Sequence, residues 1–179
     1  YFHYLEPTPS GLEYVLHLNV KKEKRDGYFT DIIADEAVKF IHANRQRPFF
    51  LYVPFTAPHS PFQGPGDRQP QPLPKDSPLW PQGKAPPEVY AAMIERMDHA
   101  VGRILAALEK QGLATNTLVI FTSDNGGTAS ARPSGLRGIK GTTFEGGIRV
   151  PCIVHWPGKL PAGVTTDQVS LMFDLTASM

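Results

Sequence analysis

The chain holds a single cysteine in 179 residues, so no internal disulfide can form and redox compartment is left open. Set in the apolar run Cys152-Ile153-Val154, that cysteine reads as a small buried hydrophobe. An excess of either charge is also missing. The 18 Lys and Arg against 17 Asp and Glu leave a net charge of +1, which gives no reason to invoke nucleic acid or an anionic membrane. No apolar run approaches the roughly 18 residues that a membrane span needs. The opening Tyr1-Phe2-His3-Tyr4 has neither an initiator methionine nor a signal peptide. The close, Asp174-Leu175-Thr176-Ala177-Ser178-Met179, falls within a helix start. The expectation is an internal piece of a longer protein, truncated at both ends. Internal repeats are absent. What is present, 41% apolar residues, can build the core of about one domain.

Hydrophobic spacing then places the elements. Residues 12–20 mix apolar and polar positions like a short strand, and residues 21–26 read as a charged turn. Thr30 is placed to cap a helix running to about residue 44, with Ile33, Ala37, Phe40 and Ile41 on one face. Asp31, Asp35 and Glu36 come early and Arg45 and Arg47 late, the order that the helix dipole favours, before Pro48 ends it. Residues 49–53 are continuously apolar between prolines, which suits a strand buried on both faces. A proline-rich connection over residues 54–87, densest over 62–87, is either a surface excursion or a substrate-facing loop. Residues 88–111 carry the strongest helical stripe, Val89, Met93, Met97, Ala100, Val101, Ile104 and Leu108, with Gly112 as its stop. That stripe is core packing. Strands over residues 118–122 and 152–156 follow, so helix and strand alternate and the class is α/β.

Three places hold residues suited to chemistry. Ser123-Asp124-Asn125-Gly126-Gly127 ends a strand, where ligands gather in open α/β sheets. The Asp124 carboxylate and the Asn125 amide oxygen suit a hard cation such as Ca²⁺ or Mg²⁺ rather than zinc, although the same letters also make an ordinary turn. Lys140 sits among Gly135, Gly138, Gly141, Gly146 and Gly147. A Walker phosphate loop needs glycine before the lysine and Ser or Thr after it, and Ile139 and Gly141 stand there instead. Lys140 is thus either a point charge for an oxyanion or a solvated lysine in a turn. His59, in Ala57-Pro58-His59-Ser60-Pro61, follows the other buried strand; its imidazole is a candidate proton donor to a leaving group or a solvated loop residue. His3, His17, His42, His99 and His155 are assigned no role.

In order along the chain these blocks resemble the formylglycine-dependent sulfatases of the alkaline phosphatase superfamily. The resemblance runs from about Gly27 to the C-terminus. It takes in Gly27-Tyr28-Phe29-Thr30-Asp31, Asp35-Glu36-Ala37, Pro48-Phe49-Phe50-Leu51-Tyr52-Val53, the Ala-Pro-His segment and Met97-Asp98. The Ser-Asp-Asn-Gly-Gly strand end and the block Lys140-Gly141-Thr142-Thr143-Phe144-Glu145-Gly146-Gly147-Ile148-Arg149-Val150-Pro151 complete it. The resemblance implies an alkaline phosphatase-like fold, a largely parallel or mixed sheet flanked by helices, incomplete here. It implies that residues 1–179 are the central portion of one catalytic domain. Asp124 and Asn125 match Ca²⁺ ligands, with Mg²⁺ as the alternative; Lys140 matches a lysine that contacts the sulfate and the bridging oxygen; His59 matches a histidine that binds sulfate and is a candidate proton donor to the departing alcohol. In such enzymes a formylglycine hydrate attacks sulfur, the alcohol leaves, and sulfate is expelled as the aldehyde re-forms.

This chain departs from that pattern in one large respect. The nucleophile motif Cys/Ser-x-Pro-x-Arg is absent, and Cys152, followed by Ile153-Val154-His155, is not that cysteine. The remaining metal aspartates and a second Lys/His pair are missing too, and their expected place is before residue 1. The chain alone is therefore expected to be inactive. A phosphate or phosphonate monoester hydrolase of the same superfamily, or a non-catalytic remnant that binds metal or sulfated glycan, are the rival readings. Family habit implies a periplasmic, secreted or lysosomal setting, and a sulfated glycan or aryl sulfate as substrate.

Overall fold

The computed structural model describes residues 5–8, 11–14, 16–23, 25–67, 85–131 and 135–178. It divides into two compact units, Tyr1–Gln111 and Gly112–Met179.

The first unit begins with two antiparallel hairpins. β1 (Leu5–Thr8) pairs with β2 (Gly11–Tyr14), and β3 (Leu16–Leu18) pairs with β4 (Lys21–Glu23). The second hairpin corrects the expectation of one strand over 12–20 and a turn over 21–26. Asn19 takes φ +57°, a left-handed conformation that asparagine tolerates. The chain therefore reverses at residues 19–20, and Lys21–Glu23 become a strand. His17 lies exposed in β3, and His3 falls outside the described residues.

Helix α1 (Phe29–Asn44) starts two residues earlier than a cap at Thr30 predicts. Tyr28 takes the cap position, and its carbonyl accepts from the N–H groups of Asp31 and Ile32 at 2.9 and 3.1 Å. Thr30 is instead buried within the first turn. Of the predicted apolar face, Ala37 and Ile41 are buried, Ile33 is half-buried and Phe40 is exposed; Ile32 and Ala34 complete the inner face. The far end closes on Asn44, whose Nδ2 donates to the Phe40 carbonyl and whose Oδ1 accepts from Arg47, both at 2.7 Å. The helix thus ends before Pro48 acts.

Residues 49–53 form no strand, which corrects the buried-strand expectation. Phe50 and Tyr52 are 71% and 74% exposed while Leu51 and Val53 are half-buried. The segment has one wet face, and no neighbour among the described residues shares ladder hydrogen bonds with it. Phe49 packs edge-on against Phe40, with ring centroids 5.7 Å apart.

Helix α2 (Pro87–Lys110) has proline at its first turn, where a missing N–H costs nothing. It ends before Gly112 at φ +69°. Met93, Ala100 and Leu108 of the predicted stripe are buried, with Ala107 beside them, and Val89, Met97, Val101 and Ile104 are half-buried. Met93 joins Ala57, Phe62 and Ala85 in one apolar cluster flanked by Val89, Tyr90 and Met97. Charges clasp α1 to α2. Arg96 donates to both oxygens of Asp31 at 2.7 and 2.8 Å, and Arg103 bonds Asp35. The Asp31 carboxylate holds the Arg96 guanidinium above its ordinary pKa. Residues 68–84 of the proline-rich stretch lie outside the described residues.

The second unit starts with a single 3₁₀ turn, Ala114–Asn116. β5 (Val119–Thr122) then pairs antiparallel with β6 (Cys152–His155), in register from Val119 opposite His155 to Thr122 opposite Cys152. The short helices α3 (Glu145–Ile148) and α4 (Met172–Ser178) precede and follow β6. Trp156 Nε1 donates to the Thr115 carbonyl at 3.2 Å and fixes the end of β6. All four β6 residues are exposed, which corrects the buried reading of Cys152: it is an exposed free thiol. Helices and strands mix in both units, as an α/β class requires, and every described strand pair is antiparallel.

Candidate active site

Asp124 and Asn125 occupy a bend one residue beyond the end of β5. The turn is held from inside, with Ser123 Oγ donating to the Asn125 carbonyl at 3.1 Å. From there the chain is fastened to the Lys140 loop by backbone hydrogen bonds. The Gly126 N–H donates to the Gly147 carbonyl at 2.9 Å, and the Lys140 N–H donates to the Gly127 carbonyl at 2.8 Å. Gly146 N–H donates to the Arg137 carbonyl at 2.7 Å and closes the loop on itself. The two motifs therefore form one folded unit at the carboxyl end of β5.

Close approach explains the glycines. A Cβ on Gly126 would collide with the backbone of Gly146 and Gly147, and one on Gly146 would collide with the carbonyl of Gly138. Here the missing side chain is what lets two loops lie backbone against backbone. At the tip, Thr142 Oγ1 donates to the Ile139 carbonyl at 2.7 Å, and the Ile139 N–H lies 3.2 Å from the same hydroxyl. That brace holds the turn that carries Lys140. Arg137 lies 3.8 Å over the Phe144 ring, a cation–π contact that steadies the loop base.

Lys140 and Asp124 are both exposed. Neither side chain makes a hydrogen bond or an ion pair among the described residues, in contrast to Glu145 and Arg149, which approach at 3.5 Å. A carboxylate, an amide and an ammonium group are thus left for solvent or a ligand on one hydrogen-bonded scaffold. The donor set is of hard oxygens, which fits Ca²⁺ or Mg²⁺. Asp124 and Asn125 supply two donors of the roughly six to eight that Ca²⁺ takes. No cluster of three or more His, Cys, Asp or Glu able to hold a metal occurs among the described residues.

His59 belongs to the first unit. It is exposed on a turn bounded by cis peptides at Ala57–Pro58 and Ser60–Pro61. Its N–H donates to the Thr56 carbonyl at 2.9 Å, and its Nδ1 lies 2.8 Å from the Ser60 carbonyl. Ala57 and Phe62, on either side, are buried. The structure therefore brings Asp124, Asn125 and Lys140 together within the second unit and places His59 on a rigid turn of the first. Sequence reasoning missed the supports: Tyr28 beneath the His59 turn, Gly126 as a contact point, and Thr142 as a brace. The Thr-Thr and Gly-Gly pairs were visible, but a loop-to-loop contact leaves no periodic signal.

No described helix is long and apolar enough to cross a membrane. The sulfatase family profile matches residues 4–179. The chain is 40% identical over 158 residues to steryl-sulfatase of Mus musculus, an alignment covering 82% of this chain and 23% of that protein. It is 40% identical over 153 residues to a sulfatase of Formosa agariphila, covering 79% and 27%. Among solved structures it aligns with Ps i-CgsB in complex with k-i-k-neocarrahexaose at TM-score 0.68 and 38% identity, covering 85% of this chain and 32% of that one. The chain spans about a quarter of the length of the curated relatives it matches. With an α/β architecture like that of solved sulfatases of the alkaline phosphatase-like fold and a profile match over nearly its whole length, this chain belongs to the sulfatase family.

Proposed function

We propose that this chain is the central portion of a sulfatase catalytic domain, and that it supplies part of the metal site and part of the sulfate site of a sulfuric ester hydrolase. The observation that carries the reading is the backbone stitching of the Asp124–Gly127 turn to the Lys140 loop at 2.8 and 2.9 Å. It supports joint use of a carboxylate and an ammonium group on one rigid scaffold, the pairing that a metal-bound oxyanion calls for.

In this reading Asp124 and Asn125 hold Ca²⁺, or Mg²⁺ in its place, which when bound polarises the sulfuryl oxygens. Lys140 offsets charge on the same oxygens and on the bridging oxygen as it builds in the transition state. His59 donates a proton to the departing alcohol. The oxygen nucleophile, a formylglycine hydrate, is assigned to a segment outside this chain, so residues 1–179 alone turn over no ester. The substrate class is a sulfate monoester, borne by a glycan or an aryl alcohol.

The test is a matched pair of substrates on the full-length protein, 4-nitrophenyl sulfate and 4-nitrophenyl phosphate. Preference for the sulfate is the expected result. Preference for the phosphate would move the chain to the phosphate or phosphonate hydrolases of the superfamily, and turnover of neither would favour a binding remnant.

A further inference from the structure

The His59 turn is far better anchored than an exposed loop needs. Its backbone is tied at Thr56, and Ala57 and Phe62 are sunk in the cluster around Met93 of α2. Phe62 also meets Tyr90 of α2 edge-on, with ring centroids 6.2 Å apart. At its far end, the Tyr28 hydroxyl donates to the Gln63 carbonyl at 2.9 Å, and both residues are buried, Tyr28 to 4% and Gln63 to 2% exposure. Tyr28 in turn caps α1, whose first turn is locked to α2 through Asp31 and Arg96. A buried hydroxyl reaching across 35 residues of sequence to one loop carbonyl is a long-range fastening of the segment that carries His59. Burial raises the Tyr28 phenol above its ordinary pKa.

The ring of His59 is oriented as well. Its Nδ1 lies 2.8 Å from the Ser60 carbonyl, so in the reading of His59 as the proton donor the proton is given from Nε2. We propose that Tyr28 is a positioning residue for His59: its bond to the Gln63 carbonyl fixes the turn so that Nε2 meets the ester oxygen of a bound sulfate. The inference rests on the reading of His59 as the proton donor. In that step the Nε2–H proton of the imidazolium passes to the bridging oxygen while the S–O bond breaks. The alcohol leaves neutral, the imidazole is left uncharged, and the oxygen nucleophile outside this chain takes the vacated place on sulfur.

The test compares 4-nitrophenyl sulfate, whose leaving group departs without a proton, with 4-methoxyphenyl sulfate, whose leaving group needs one. It uses the full-length protein and the variants Tyr28→Phe, His59→Asn and the double variant. Because the readout is a ratio between two substrates, partial unfolding of a variant cancels. His59→Asn is expected to reduce kcat on the methoxy ester at least about tenfold more than on the nitro ester, within the roughly 10²–10⁴-fold reach of general acid catalysis. Tyr28→Phe is expected to shift the ratio the same way by a smaller factor, with KM little changed, and to add nothing when His59 is already replaced. If His59→Asn discriminates and Tyr28→Phe does not, or if the two losses multiply, the positioning proposal alone is overturned. If His59→Asn slows both esters equally, the proton-donor reading fails and takes the proposal with it.

Discussion

Lys140 donates its backbone N–H to the carbonyl of Gly127 at 2.8 Å. That bond joins two motifs separated in sequence and makes the position of the lysine a property of the strand-end turn. A cation carried on a glycine-rich loop would otherwise pay heavily in chain entropy to meet a ligand. Here the loop is already folded, and only the side chain is left to settle.

Replacing Gly126 by alanine tests that junction. The added Cβ has no room against Gly146 and Gly147, and overpacking of this kind costs about 1–3 kcal/mol. Gly126→Ala is expected to lower the unfolding midpoint and to reduce sulfate ester turnover. Gly141→Ala meets nothing within 4 Å, although its φ of +87° strains a side chain, so its effect should be milder, at the low end of the roughly 1–2 kcal/mol of a left-handed residue. Urea unfolding of both variants in the full-length protein checks the order. Equal losses would contradict the packing account.

Removing the carboxylate at residue 124 separates function from folding. Asp124 makes no hydrogen bond or ion pair among the described residues, so Asp124→Asn should leave the melting temperature of the metal-free protein unchanged. Calcium affinity, measured by calorimetry, is expected to fall by at least the roughly 10–100-fold that loss of a supporting group costs a metal site. Unchanged affinity would take Asp124 out of the metal site.

The clasp between α1 and α2 carries a measurable coupling. Asp31 and Arg96 are bidentate, with side chains 22% and 37% exposed. Solvent at the guanidinium holds their interaction to about 1 kcal/mol. A double-mutant cycle with Asp31→Asn and Arg96→Met should return a coupling of that size. A value indistinguishable from zero would mean that the helices are held by their apolar faces alone.

Glu36 sets a pH dependence of known sign. Hydrogen bonds from Lys39 and Arg25, at 2.8 and 2.7 Å, hold its carboxyl below the usual carboxylate range. A depressed folded-state pKa adds stability above the unfolded value of roughly 4.3, and that stability is lost as pH falls through the folded value. Wild type and Glu36→Gln should therefore differ in stability at neutral pH and converge as the pH drops well below 4. Measured melting curves that stay parallel through that range would contradict the assignment.

Legibility in the sequence followed the kind of force at work. The α2 stripe from Val89 to Leu108 and the apolar run into Ser123 were readable because burial imposes a period on residues. Residues 49–53 show where that logic stops. An apolar run predicts a buried strand, but a strand needs a partner, and Phe50 and Tyr52 stand exposed with none among the described residues. Thr30 looked like a cap by residue type, yet Tyr28 took that position and turned its hydroxyl toward Gln63. Asp124, Asn125 and Lys140 could be picked out by chemistry and family resemblance. That Gly126 and Lys140 are tied to each other's loops was not legible, because backbone hydrogen bonds between loops depend on no particular side chain.

The most direct measurement of the central claim is sulfate release from 4-nitrophenyl sulfate by the full-length protein with Lys140→Met, beside Lys159→Met as an exposed-lysine control in the same unit. If Lys140 bears the charge of the transition state, its loss should lower kcat by about 10²–10³, the size typical for one oxyanion-stabilising donor, and the control should match wild type. Equal activity of the two variants would contradict the account, because it would leave the loop stitched to Gly126 and Gly127 without a part in the chemistry.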